Sequence, residues 1–406
     1  MEQDVIIAGG GLNGPALALA LAQAGFHVTL VDARPDGARA AEGFDGRAYA
    51  LALASQRMLA ALGIWPQVAA EATAIEAIRT SDGVPAGAAV PFFLSFDRGE
   101  LDEGPMGYLL EDRYLHKALV AALATEPKIR RLSGLSVVAQ AADPEGISVT
   151  LSDGAVLRAR LLVGCDGRGS GVAARAGLRR QGWGYGQTAL VNALQLKAPH
   201  GGVAHQVFLP GGPVAILPLS GDRVSIVWSE EERAAARIRD LPDSDYLDLL
   251  MEKIGHLTGP AQLTGDRFSY PLSLSLAESY IAPRVALAGD AAHGIHPIAG
   301  QGLNLGLRDV AALAEVLAEA NARGEDIAAG NVLERYQTWR RFDATSLALG
   351  MDVVNRLFSN HSPLARALRG VGMRAVAALD GPRRSFIREA AGLSGELPRL
   401  LQGRRL

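Results

Sequence analysis

The sequence predicts an α/β fold in which a Rossmann-like domain carries an inserted antiparallel β-sheet domain and is followed by a C-terminal helical segment. Three observations lead there. A complete β-α-β pattern opens the chain, short β-rich runs fill residues 181–280, and an arginine-rich stretch with helical periodicity closes it. On this reading residues 1–75, 101–180 and 281–330 form the first domain, 76–100 and 181–280 the second, and 331–406 the helical region.

The opening unit reads as a strand over Asp4 to Ala8, the run Gly9-x-Gly11-x-x-Gly14, an Ala/Leu helix from Pro15 to Ala24, and a second strand from His27 to Val31 that ends at Asp32. In a dinucleotide-binding turn the first glycine permits the tight bend, the second lets the backbone meet a pyrophosphate, and the third lets helix pack on strand. The carboxylate of Asp32 stands where a ribose hydroxyl would be held. The motif does not choose between FAD and NAD.

Further along, Asp45-Gly46-Arg47 places an arginine after the second strand, and Glu111-Asp112-Arg113-Tyr114 begins a helix with another in its first turn. Each is either a solvated surface charge or a ligand-directed group. Leu161 to Gly164 is a buried strand that runs through Cys165 to Asp166 and Gly167. The lone cysteine reads as a small buried hydrophobe.

The middle of the chain offers strands over Ala189 to Leu196, His205 to Leu209, Val214 to Leu219, Val224 to Ser229 and Arg267 to Leu272, separated by Gly-, Pro- and Ser-rich turns. Together they predict an antiparallel sheet that could roof a ligand and leave an apolar slot between the domains. Leu217, Pro218 and Trp228 are chosen as its pocket wall.

The longest glycine-rich loop comes next. Val285 to Ala288 reads as a buried strand, Gly289 and Asp290 follow, and apolar positions 303, 307, 310, 313, 314 and 317 mark a helix that begins near Gly302. Between them, His293 to Asn304 contains Gly294, Gly300 and Gly302, which carry no Cβ to hold a flat ligand away from the main chain. The helix start presents unpaired N–H groups and the positive end of its dipole, which suits an anionic ring.

Composition narrows the class. The chain has 406 residues, 49% hydrophobic and 20% charged, and a formal charge of -3, which gives no reason to expect nucleic acid. Its single cysteine excludes a disulfide framework and a cysteine-built metal site, and no export signal opens the sequence, so a cytoplasmic setting is expected. From residue 353 onward ten arginines face three acids, a formal +7, so that residues 1–352 carry -10. Helical stretches such as Leu364 to Leu379 alternate Arg with Leu, Val and Met. That pattern suits peripheral contact with an anionic membrane surface, or packing on the body of the protein.

The three glycine motifs, Gly9 to Gly14, Asp166-Gly167, and Gly289-Asp290 leading to Ala299-Gly300-Gln301-Gly302-Leu303-Asn304, resemble the fingerprints of the single-component flavin-dependent aromatic hydroxylases. Within that group, Ala292-His293-x-x-His296-Pro297, the following loop, and Tyr185-Gly186-Gln187 resemble the ubiquinone-biosynthesis hydroxylases. The resemblance implies an FAD-binding domain of the GR2 type. Gly9, Gly11, Gly14 and Asp32 would hold the ADP half of FAD, Arg47, Arg113 and Asp290 the linking region, and Pro297, Gly300, Gly302, Leu303 and Asn304 the flavin ring, with Asp166 and Gly289 flanking. Asp32 stands where the wider group more often has Glu.

It also implies the activity. NAD(P)H would act as transient electron donor, and O2 would yield a flavin hydroperoxide that hydroxylates a polyprenylated phenol or quinol on the way to ubiquinone. His296 would help proton movement at the phenol, or shape the loop beside Pro297. Assembly with other proteins of the pathway is a further implication. A hydroxylase of small soluble phenols and a non-catalytic flavin-binding subunit remain as alternatives.

Overall fold

The computed structural model describes residues 3–37, 43–82, 94–100, 102–209, 211–296, 300–358, 383 and 387–406. Strand β1 (Gln3–Ala8) is followed by helix α1 (Asn13–Gln23) and strand β2 (Val28–Asp32). Val5, Ile6 and Ile7 are fully enclosed and α1 buries an Ala/Leu surface on both sides, so this unit lies at the centre of the main core.

Strand β3 (Ala48–Leu51) and helix α2 (Leu53–Ala61) come next, and the chain then crosses to a second sheet for β4 (Ala77–Asp82) and β5 (Leu94–Asp97). It returns through β6 (Tyr108–Glu111), which pairs with β3, helix α3 (Asp112–Thr125), β7 (Ile129–Ser133) and β8 (Val156–Gly164). A five-residue helix, α4 (Gly171–Arg175), precedes the long strand β9 (Arg180–Leu196).

The second sheet continues with β10 (Val203–Leu209), β11 (Gly212–Leu219) and β12 (Arg223–Glu231). Helices α5 (Glu232–Arg239) and α6 (Asp243–Thr258) intervene before strand β13 (Ala261–Ala277). The chain then enters the first sheet as β14 (Val285–Leu287), adds β15 (His293–Gly294) to the second, and continues into helices α7 (Gln301–Ala322) and α8 (Gly330–Phe358), with residues 387–406 described beyond them as the tail.

The first sheet has the parallel order β14-β8-β1-β2-β7, with strands at 137–142 and 147–151 added antiparallel beside β8. The second runs β15-β13-β9-β12-β11-β10-β4-β5. Contrary to the purely antiparallel expectation, β10 pairs with β4 in parallel, because β4 arrives from the other lobe rather than through a hairpin. The two helices inside 181–280 were also not expected, although Tyr246, Leu250 and Ile254 repeat at helical spacing. They cover one face of the sheet and form a separate core with Leu190, Leu194, Val214, Ile216, Val224, Ile226 and Trp228. The other face packs Ala189, Val191, Ala193, Leu219, Leu272 and Leu274 onto the main core. No helix among the described residues is long and apolar enough to cross a membrane. The stretch Leu364 to Leu379 lies outside the described residues.

Candidate functional site

The glycine loop after β1 is fixed by two main-chain bonds: Gly9 N–H donates to Val31 O at 2.8 Å, and Cys165 N–H donates to Ala8 O at 2.7 Å. Gly9 has φ +117, and a Cβ there would meet Cys165 O at 2.2 Å. At Gly14 it would meet Gly9 O at 1.9 Å, whereas a Cβ at Gly11 would meet no atom within 4 Å. Two glycines of the motif therefore serve packing, and Gly11 presents bare backbone to open space. Asp32 stands beside the same loop, close enough that a Cβ at Gly10 would meet its Oδ2 at 2.1 Å. Its Oδ1 accepts the Arg34 N–H at 3.1 Å.

The turn after β14 lies against this loop through Asn13. A Cβ at Gly289, which has φ +65, would meet Asn13 Nδ2 at 2.2 Å, and one at Gly306 on α7 would meet it at 2.4 Å. The loop at 9–14, the 289–291 turn and the first turns of α7 thus come together around one side chain. The carboxylate of Asp290 is 43% exposed and 3.4 Å from Arg168 Nε. Arg180 donates to Asp290 O and Ala291 O, both at 2.9 Å, and Arg168 Nη2 donates to Ile295 O at 2.9 Å.

Asp166 has a different task from the one expected of it. Its Oδ1 accepts the Ser170 hydroxyl at 2.5 Å and its Oδ2 accepts the Val172 N–H at 3.0 Å, so the carboxylate caps α4. Beside it, burial and the neighbouring Asp166 push the Cys165 thiol up, which keeps it protonated.

At the start of α7, Gly300 takes φ +63, and a Cβ there would meet Ala50 Cβ at 2.9 Å, while a Cβ at Gly302 would meet nothing within 4 Å. Leu303 is buried in the main core. Asn304 is committed to the protein: it accepts the Ala52 N–H and the Ser55 hydroxyl and donates to Ala50 O, which pins β3 and the start of α2 to α7. Pro297 lies outside the described residues.

Arg47 sits 3.2 Å from Asp45, in a cluster with Asp112, Tyr49 and Tyr270. Burial raises the Asp45 carboxyl against the pull of Arg47. Arg113 donates to Glu111 Oε2 at 2.9 Å and lies over the Tyr114 ring, 4.4 Å from its centroid. Glu111 is only 2% exposed and also takes Arg223 Nη2 at 2.6 Å. Sequence reasoning missed Glu111 and Arg223, because nothing in the sequence says that the start of β12 faces the end of β6.

His296 is 1% exposed, with its ring edge-to-face against Tyr185 at 5.0 Å. Burial, with Arg168 nearby, lowers its pKa to about 4, so the imidazole is neutral at physiological pH. Tyr185 lies in an irregular stretch of β9 between Gly184 and Thr188, where pairing with β13 shifts register. Beyond it, Trp183 Nε1 donates to Asp352 at 3.3 Å and Asn355 Nδ2 donates to Gln187 at 3.2 Å, so this stretch is tied to α8.

The three residues chosen as a pocket wall do not share a face. Pro218 pairs opposite Val224, and Trp228 opposite Val214, both on the helix-covered side, where Trp228 packs 6.1 Å from the Tyr246 ring. Leu217 alone points toward the main core. Strand alternation puts Val224, Ile226 and Trp228 on one face, but it cannot say which face the helices cover.

Comparison with known proteins agrees with this geometry. The family described as FAD binding domain matches residues 2–348. The chain is 43% identical over 404 residues to a protein named ubiquinone hydroxylase UbiL from Rhodospirillum rubrum, covering 98% of this chain and 92% of the relative. It is 36% identical to the 3-demethoxyubiquinol 3-hydroxylase of Escherichia coli, covering 96% and 98%. The crystal structure of p-nitrophenol 4-monooxygenase PnpA from Pseudomonas putida superposes with a TM-score of 0.80 at 21% identity, covering 98% of this chain and 100% of that one, a likeness of fold alone.

Proposed function

The chain belongs to the FAD binding domain family and is an FAD-dependent monooxygenase of ubiquinone biosynthesis; from that premise we propose that it hydroxylates the aromatic ring of a polyprenylated phenol or quinol, with NAD(P)H as transient donor. What supports this reading above all is the meeting of the 9–14 loop, the 289–291 turn and the start of α7 around Asn13. The residues present fit the cofactor, since Gly11 and Gly302 face open space and offer bare backbone that a flat or phosphorylated ligand can approach.

In this reading Gly11 lets the backbone approach the pyrophosphate, Gly9 and Gly14 keep the turn tight, and Asp32 accepts a ribose hydroxyl. Asp290, with Arg47 and Arg113, serves the linking region, and Gly289 sets the turn from which Asp290 projects. The N–H groups and positive dipole end at the start of α7 stabilise negative charge on the ring. FAD, when bound, supplies the oxygen-transfer chemistry. The protein orients the substrate and keeps water out. His296, neutral because it is buried, helps proton movement at the phenol by accepting a hydrogen bond from its hydroxyl, and Leu217 contributes to the apolar wall. Asp166 and Asn304 act at one remove, by holding backbone. Residues 1–75, 101–180 and 281–330 form the cofactor lobe, 76–100 and 181–280 the substrate lobe, and 331–406 the helical region, whose arginines hold the protein at an anionic membrane surface where the substrate lies. Association with other enzymes of the pathway belongs to the same reading.

Mass analysis of quinone lipids in the source organism with this gene deleted tests the proposal. Accumulation of a prenylated precursor short of one ring oxygen is expected. An unchanged ubiquinone pool, with no second hydroxylase active, would remove the substrate assignment.

A further inference from the structure

Directly behind the 289–291 turn lies a buried ionic network that the proposed chemistry does not use. Asp309, on α7, has no solvent exposure, and its carboxylate takes three donors. Oδ2 accepts the Gly289 N–H at 3.0 Å and the His293 Nε2–H, while Oδ1 accepts the Arg340 Nε–H at 2.9 Å. Burial alone would raise the Asp309 carboxyl, but His293 and Arg340 outweigh it and hold the group below the usual carboxylate range. Arg340 continues to Asp343 at 2.5 Å, which Arg308 also reaches at 3.0 Å, and Arg308 Nη2 donates to Ser394 O at 3.0 Å. The network therefore locks α7, α8 and the tail to the peptide that carries Gly289.

Buried charge of this kind is a weak source of stability, since apolar residues of similar volume often do as well. It does fix geometry. Asp309 holds the Gly289 N–H, one peptide before Asp290, while the Ala292 N–H donates to Gly289 O at 2.8 Å and Arg180 holds the Asp290 carbonyl at 2.9 Å. With the peptides on both sides clamped, and with Gly289 in a left-handed conformation, the direction in which the Asp290 carboxylate projects is set from behind. We propose that Asp309 is a positioning residue for FAD binding, acting through the Gly289 peptide to aim Asp290 and assisted by His293. This rests on the reading that Asp290 contacts the cofactor.

The test is a double-mutant cycle on FAD affinity, read from flavin fluorescence as apoprotein is titrated, with apoprotein melting temperature as control. D290A and D309N are each expected to weaken FAD at least about tenfold, the loss of one charge-assisted hydrogen bond. In the D290A background, D309N is expected to add less than about threefold, because its effect passes through Asp290. Full multiplication of the two effects, or unchanged affinity in D309N while D290A is weakened, would overturn the inference. Should D309N fail to fold, D309E, which keeps the charge but moves the carboxylate relative to the Gly289 N–H, takes its place in the cycle under the same criteria. Wild-type apoprotein that binds no FAD, or D290A that binds it normally, would overturn the parent reading and this inference with it.

Discussion

The Asn304 side chain accepts the backbone N–H of Ala52 at 2.9 Å, across 252 residues of sequence, and donates to Ala50 O at 2.8 Å. One amide thus joins the strand after the dinucleotide unit to the helix whose start faces the proposed flavin ring. Replacing Asn304 with Ala takes the acceptor from the buried Ala52 N–H and Ser55 hydroxyl, at a cost of about 3 kcal/mol. Denaturant unfolding of the apoprotein should show that loss, and the variant should be purified with less flavin. An N304A protein as stable as wild type would mean that water replaces the amide.

Gly9 and Gly11 separate the fold from the ligand. A Cβ at Gly9 would meet Cys165 O at 2.2 Å, and its φ of +117 disfavours any side chain, so G9A should lower the melting temperature sharply or yield no folded protein. A Cβ at Gly11 meets nothing within 4 Å. The G11A apoprotein should therefore melt close to wild type yet lose FAD binding, as measured by flavin retention through gel filtration. Retention of full flavin by G11A would show that the pyrophosphate does not pass there.

His296 links stability to pH. Its pKa is held at about 4 in the folded protein, against 6.5 ordinarily, by burial first and Arg168 second. Above pH 6.5 both folded and unfolded states are neutral there, and the stability from a neutral imidazole is fully present. As pH falls through the window from 6.5 to 4 the unfolded chain takes up a proton that the folded one refuses, so stability drops by about 3 kcal/mol. His205, lowered to about 4 chiefly by burial, adds in the same direction. Comparison of chemical-denaturation free energies at pH 7 and pH 4 for wild type and H296Q isolates the His296 share. Parallel pH profiles would show that the folded imidazole titrates freely.

Much of this was legible in the sequence, for physical reasons that differ by element. The β1–α1–β2 unit could be read because Val5 to Ala8 and Pro15 to Ala22 are apolar throughout and Gly14 is demanded by its contact with Gly9 in the same unit, although Gly9 itself answers to Cys165. The glycines at 289 and 300 were legible as backbone requirements, but the residues that demand them, Asn13 and Ala50, lie far away in sequence. Asp166 and Asn304 were read as cofactor contacts, yet both spend their side chains on backbone, one on the α4 cap and the other on β3, and only the fold reveals such partners. The networks around Glu111 and Asp309 join positions 112 and 31 residues apart, and no local pattern announces them.

Trp228 offers the clearest division between core and pocket. It is fully enclosed beneath α5 and α6, 6.1 Å from the Tyr246 ring and with Lys253 Nζ 5.3 Å from its own. Tyr246 in turn donates its hydroxyl to Asn192 Oδ1 at 2.6 Å. W228A should cost about 4 kcal/mol through lost burial and the cavity left behind. W228F should cost a fraction of that, because the indole N–H has no hydrogen-bond partner among the described residues and only volume is removed. Y246F, which leaves the Asn192 oxygen without its donor, should cost about 1–2 kcal/mol. None of the three should change KM for the phenolic substrate, since the helix-covered core is separated from the main core by the thickness of the sheet. Urea unfolding together with steady-state kinetics checks both halves, and a KM that rises in W228F without a matching loss of stability would return Trp228 to the pocket wall.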